Sequence, residues 1–337
     1  MKIAYLFDTF PSPTETFLAR EVAALRARGL DIEIWALNAG EGAHPIGLPP
    51  RAFKLMGAAK FWRATGEKLA PQLKQRGVTH VHAAWANHVA DIARAAAHNA
   101  NLPWSFAAHA HDLWVSGGAW QAKLKSAEWA TVCTRAGERE LKKWGDNVIY
   151  APHGIPLEDY PFQPWNGGPL RLLGVGRLVE KKGWPDLIEA AQMIGAQVRI
   201  IGDGPLRVTL PASALVGALP HATVIATMRD WANCLVLPSR VDGDGDRDGL
   251  ANVLLEGAAL GLPLVTTTAG GATDLVNEQT GWLCAPDDAE ALAQTVARVW
   301  ADEAETRQRC EGARQRVESE FDVTRNVAVL ARAFEAP

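Results

Sequence analysis

Short apolar runs alternate with stretches of helical spacing along almost the whole of this 337-residue chain. A strand-length run followed by an amphipathic helix makes a βαβ unit, so the chain is constrained to parallel sheets covered by helices. Residues 2–7, 31–37, 78–84, 104–108, 129–133 and 148–150 read as strands. Helices are expected over 16–28, 51–76, from 85 to about 99, and over 119–126. Pro161, Pro164, Gly167, Gly168 and Pro169 then mark a linker. The rhythm restarts beyond it, with strands at 170–175, 197–201, 234–237, 263–267 and 281–284 and helices at 184–193, 289–300, 303–320 and 323–334. The expectation is an α/β protein with two doubly wound domains facing each other across a cleft. They cover 1–164 and 165–320, and a terminal helix in 321–337 packs back on the first. Ligands of such sheets bind beyond the C-terminal ends of the strands.

A hydrophobic content of 48% with 21% charged residues describes a soluble globular chain. No apolar run reaches the length of a membrane span. The first strand meets Asp8 and Pro11 too early for a signal peptide. Cys133, Cys234, Cys284 and Cys310 are scattered without metal or disulfide spacing, which points to the reducing cytoplasm. Residues 1–160 hold 18 Lys+Arg against 15 Asp+Glu, and the remainder 16 against 23. The basic half suits an anionic or membrane-surface partner, most of all at 51–76, where seven Lys/Arg (Arg51, Lys54, Lys60, Arg63, Lys68, Lys74, Arg76) accompany apolar residues. A solvated helix that packs its apolar side inward is the alternative.

Residues 238–256 carry the most unusual chemistry. A strand stops at Pro238, an acidic loop follows, and then comes an almost wholly apolar helix holding one carboxylate, Glu256. A buried charge costs several kcal/mol unless paired. Gly249, before the helix, would let backbone N–H groups approach an anion such as phosphate. A calcium loop starting at Asp244 would place Gly249 correctly, but its twelfth position is Leu255. Earlier, Gly174 and Gly176 suggest a dinucleotide fingerprint that fails at Val179. That turn instead offers Arg177, Lys181 and Lys182, whose charge-assisted bonds to a phosphate are worth about 1.5–3 kcal/mol each.

His80, His82, His109, His111 and Asp112 fall at strand ends in the first half. Paired His-x-His ligands suit a metal-dependent hydrolase using His80, His82, His109 and His111. The other reading keeps His80 and His82 structural and sets His109 against a polar substrate.

Together these pieces resemble the family 4 retaining glycosyltransferases of GT-B fold, with two Rossmann-like domains. The most specific blocks are G-R-L-V-E-K-K-G (176–183), D-L-I-E-A-A (186–191) and the run from L-P-S-R at 237 to V-T-T at 267. The last resembles the E-x7-E signature, here Asp248 and Glu256. E-T-F-L-A-R-E-V-A-A-L (15–25), H-V-H-A (80–83), F-A-A-H-A-H-D-L (106–113) and A-P-H-G-I (151–155) are similar to motifs of members that build bacterial exopolysaccharide, including colanic-acid-type members.

The resemblance implies site roles. Gly176, Arg177 and Lys182 hold the diphosphate of a nucleotide sugar, with backbone N–H groups of Gly249 and Leu250. Glu256 binds the ribose, Asp248 the donated sugar, and His109, supported by Asp112, lies beside that sugar. Thr14 and Glu15 lie near the acceptor. It further implies a metal-independent transfer with retained anomeric configuration and no cofactor besides the nucleoside-diphosphate sugar. The acceptor is a saccharide, in lipid-linked form, met at the inner face of the cytoplasmic membrane, and no nucleic-acid partner is expected. A GT-B-like epimerase or phosphorylase and a silent sugar-nucleotide-binding module are the other readings.

Overall fold

In a computed structural model the protein is described over residues 1–12, 15–50, 55 and 57–336. It forms two compact units, Met1–His153 with Val323–Pro337, and Gly154–Asp322.

The first unit runs β1 (Lys2–Phe10), α1 (Thr16–Ala27), β2 (Asp31–Ala39), β3 (His44–Pro45), α2 (Ala58–Gln75), β4 (His80–Ala83) and α3 (His88–Ala100). It continues through β5 (Trp104–Ala108), α4 (Trp120–Ser126), β6 (Trp129–Val132), α5 (Arg135–Leu141) and β7 (Val148–Tyr150). Among the described residues these strands make one parallel sheet in the order β3-β2-β1-β4-β5-β6-β7. Both faces are covered, which is why β1 reads as an unbroken apolar run with Ile3 to Phe7 fully buried. Helix α2 spends its apolar side, Phe61, Leu69 and Leu73, on the core, and leaves Lys60, Arg63, Lys68 and Lys74 outward. It packs so closely on α3 that a Cβ on Gly66 would stand 2.4 Å from Ile92 O. Of the expected helix over 51–76, residues 51–54 and 56 lie outside the described residues.

The second unit runs β8 (Arg171–Val175), α6 (Trp184–Met193), β9 (Gln197–Ile201), β10 (Leu215–Gly217), α7 (His221–Asp230), β11 (Cys234–Leu237) and α8 (Asn252–Leu260). Then follow β12 (Leu264–Thr267), β13 (Trp282–Cys284), α9 (Ala289–Ala301) and α10 (Glu303–Glu320). Its parallel sheet has the order β10-β9-β8-β11-β12-β13 among the described residues. Successive side chains feed opposite cores, as strand geometry requires. Leu172, Cys234 and Val236 join one apolar cluster, while Leu173, Leu235 and Leu237 join the other.

The unit boundaries differ from the expected 164/165 and 320/321. Residues 154–169 are laid along the second unit: Trp165 Nε1 donates to Asn233 O at 2.9 Å, Asn233 Nδ2 donates to Gly167 O at 2.8 Å, and Tyr160 is buried. The proline- and glycine-rich stretch is therefore packed chain rather than a free linker. Helix α11 (Val323–Glu335) belongs to the first unit, where Val327, Leu330, Ala331 and Phe334 share a core with Ile3, Tyr5, Leu18 and Leu25.

Candidate active site

Strand order in the second unit turns at β8 and β11, so the loops after these two strands diverge and leave a crevice at a topological switch point. Both singled-out stretches, 176–183 and 238–249, are those loops. Glycines let them approach. Gly176 has φ 156°, and a Cβ on it would press on Lys182 Cε at 3.2 Å. Gly183 sits in the left-handed region at φ 65°, and a Cβ there would stand 2.0 Å from Pro238 O. Gly183→Ala is expected to cost about 2 kcal/mol or more, because backbone strain and a backbone clash act together. A urea midpoint equal to that of the unaltered chain would reject this contact.

Lys181 and Lys182 form a short 3-10 turn (Glu180–Lys182) and are both buried. Lys182 Nζ lies 2.7 Å from Asp248 Oδ2, and Ser239 Oγ donates to the same oxygen at 2.8 Å. Lys181 Nζ reaches Asp246 Oδ2 at 2.8 Å and Asp248 Oδ1 at 3.8 Å. Burial by itself would raise the Asp248 carboxyl, but Lys182, Lys181 and Ser239 together hold it below its ordinary value. The acidic loop thus serves the lysines. It closes on itself through Asp242 N to Asp246 O at 2.7 Å and Asp246 N to Asp244 Oδ1 at 2.9 Å. Arg177 is exposed, and among the described residues its guanidinium has no ion-pair partner.

Helix α8 starts later than the phosphate argument supposed. Its N-cap is Ala251, in extended conformation, so Gly249 and Leu250 belong to the preceding loop and not to the first turn. That loop is braced by Gly271 N donating to Asp248 O at 3.1 Å. Glu256 is 4% exposed and is paired, as a buried carboxylate must be: Tyr160 OH donates to its Oε1 at 3.3 Å, and His221 Nε2 lies 2.9 Å from the same oxygen. Sequence reasoning missed both partners and Ser239. His221 opens α7 in a region without recognisable spacing, and Tyr160 stands just before what read as a linker.

In the first unit, His109 follows the last residue of β5. Its backbone N–H donates to Asp112 Oδ2 at 3.0 Å, and its Nδ1 lies 3.6 Å from that oxygen. Asp112 is 1% exposed. The imidazole is walled by Trp85 at 4.3 Å, Phe17 at 5.6 Å and His153, stacked at 5.2 Å. Glu15 immediately precedes α1, and its carbonyl accepts from Leu18 N at 3.0 Å. Thr14 lies outside the described residues.

The four-histidine metal cluster does not form. His80 and His82 share one face of β4, and both bond Ser105 Oγ at 2.7 Å inside a core closed by Trp129 and Phe334, whereas His111 is exposed. One hydroxyl can donate to one ring and accept from the other, so both imidazoles can be bonded while neutral. Burial pushes His80 down to about 4 and His82 well below its ordinary value. The unfolded chain therefore takes up protons first as pH falls. Stability present above about pH 6.5 is expected to drop by about 2 kcal/mol by pH 5 from His80 alone, with more from His82. Urea midpoints that stay flat across that range would contradict the buried pair.

The family model described as "Glycosyl transferases group 1" matches residues 169–302. A glycogen synthase of Mycobacterium tuberculosis is 30% identical over 342 residues, covering 91% of this chain and 77% of that protein. The chain belongs to the group 1 glycosyl transferases. Within this family of sugar-transferring enzymes it is also similar to a putative colanic acid biosynthesis glycosyltransferase, WcaL, of Escherichia coli, at 35% identity over 58% of this chain and 54% of the other. The fold matches that of Anabaena Alr3699/HepE, solved in complex with UDP, with TM-score 0.78, 17% identity and full coverage of both chains. The group 1 glycosyl transferase is therefore of GT-B type. Among its described residues no helix is long and apolar enough to cross a membrane.

Proposed function

We propose that this glycosyl transferase moves a sugar from a nucleoside-diphosphate donor to a saccharide acceptor in polysaccharide biosynthesis, with retention of configuration and without a metal. The observation that carries the reading is the buried Lys182 ammonium at the switch point, held in waiting by Asp248. A diphosphate is the anion best suited to take up Lys182 together with the exposed Arg177, and their fixed charges would stabilise the phosphate oxygens as the nucleotide departs. Glu256 accepts the ribose hydroxyls, and Gly249 and Leu250 donate backbone N–H groups to phosphate. Asp248, once released from Lys182, turns to the donated sugar, while His109, oriented by Asp112, hydrogen-bonds it. The acceptor hydroxyl attacks on the face the phosphate leaves.

The named functions of the similar proteins support this reading, since WcaL is assigned to colanic acid biosynthesis and HepE was solved with UDP. A thermal-shift screen of UDP-, GDP- and ADP-sugars tests it, because a donor at a hundred times its Kd adds about 2.7 kcal/mol. No shift with any of them would end the proposal, and transfer abolished by EDTA would reject its metal independence. Lipid-linked acceptors fit the outward Lys60 and Lys74 and the exposed Leu55, which suit an anionic membrane surface. Equal sedimentation of the Lys60→Glu/Lys74→Glu variant with anionic vesicles would remove that contact.

A further inference from the structure

The first unit brings together three side chains that sugar transfer does not use as a set. Strands β5 and β6 pair Ala108 with Val132, and β6 and β7 pair Val132 with Tyr150. The next residues along β5 and β6 are His109 and Cys133, and His153 follows Tyr150 by three positions. Adjacent strands thus deliver two imidazoles and a thiol to one end of the sheet, and one donor atom from each lies within 4.8 Å of the others. His109 and Cys133 are each 7% exposed. Nδ1 of His109 and Nε2 of His153 are buried without a hydrogen-bond partner among the described residues, which leaves polar atoms that a bound cation would satisfy. The Asp112 carboxylate, 3.6 Å from His109 Nδ1, adds negative charge that favours a cation at this place.

We propose that His109, Cys133 and His153 bind a thiophilic divalent cation, Zn2+ before harder ions, and that the bound cation withdraws His109 from sugar transfer and inhibits the enzyme. Two nitrogens and a sulfur are the donor set of a tetrahedral zinc site with one open position. Zn–N bonds of about 2.0 Å and Zn–S of about 2.3 Å put ligand atoms about 3.5 Å apart, a closure that side-chain rotation supplies. Cys133 enters as thiolate and its proton passes to solvent, so no electrons change hands. The inhibitory half rests on the role given to His109 above.

Co2+ titrated into the metal-free full chain tests the site. The expected result is a thiolate-to-cobalt charge-transfer band at one equivalent, displaced by Zn2+ and lost in Cys133→Ser. Zn2+ should inhibit transfer by the unaltered enzyme and be at least tenfold weaker against Cys133→Ser, whose activity without metal is unchanged. No band, or a band that survives in Cys133→Ser, overturns the site. A band that behaves as expected in an enzyme indifferent to Zn2+ supports the site and overturns the inhibition, together with the role of His109. Loss of donor stabilisation in the thermal-shift screen would strike the transferase reading and leave the cobalt result standing.

Discussion

Lys182→Ala is expected to weaken nucleoside-diphosphate binding at least tenfold, about 1.4 kcal/mol. An ammonium at 8% exposure has given up most of its hydration, and its present compensation is Asp248 at 2.7 Å with Ser239 on the same oxygen. A diphosphate offers more negative charge than one carboxylate, so donor binding exchanges one satisfied state for a stronger one. The same substitution strands Asp248. Breaking a buried pair costs about 3–5 kcal/mol, and Lys181 at 3.8 Å keeps the loss toward the lower end of that range. Lys182→Ala/Asp248→Ala should therefore recover stability without recovering affinity. Calorimetry showing unchanged affinity in Lys182→Ala would sink the phosphate assignment. Stability that fails to return in the double variant would show that the two residues do not compensate each other.

His109→Ala is expected to lower kcat by about 10²–10³-fold, the size of one preorganised donor lost from a transition state, with donor affinity near normal. The two readouts separate because the residues proposed to hold the diphosphate all lie in the second unit. Asp112 binds the backbone N–H of His109 and stands 3.6 Å from its ring, so Asp112→Asn should give a smaller loss of the same kind. Full transfer activity in His109→Ala would remove this residue from the site, and a matching loss of donor affinity would reassign it to binding.

Much of this protein is legible in its sequence. Strands β5, β7, β9 and β11 and helix α6 have the bounds that periodicity predicts. The segments it did not resolve, β3, β10, α7 and α5, are short and weakly patterned, and their identity comes from what they pack against. His80 and His82 show the limit. The two-residue spacing places both on one face of β4, but neutral burial beneath Trp129 and Phe334 depends on residues far along the chain.

The site divides in the same way. Sequence by itself determined the parallel α/β architecture, the two glycine-bearing loops at strand ends, and the presence of Lys182, Asp248 and Glu256, because each follows from local spacing and residue chemistry. Tertiary structure alone decided the partners. Lys182 meets Asp248 across 66 residues of chain, and Glu256 meets His221 across 35 and Tyr160 across 96. A buried charge announces that it needs a counterpart, since leaving it unpaired is prohibitively costly. It does not say which one, because that choice belongs to the sheet order that brings β8 beside β11.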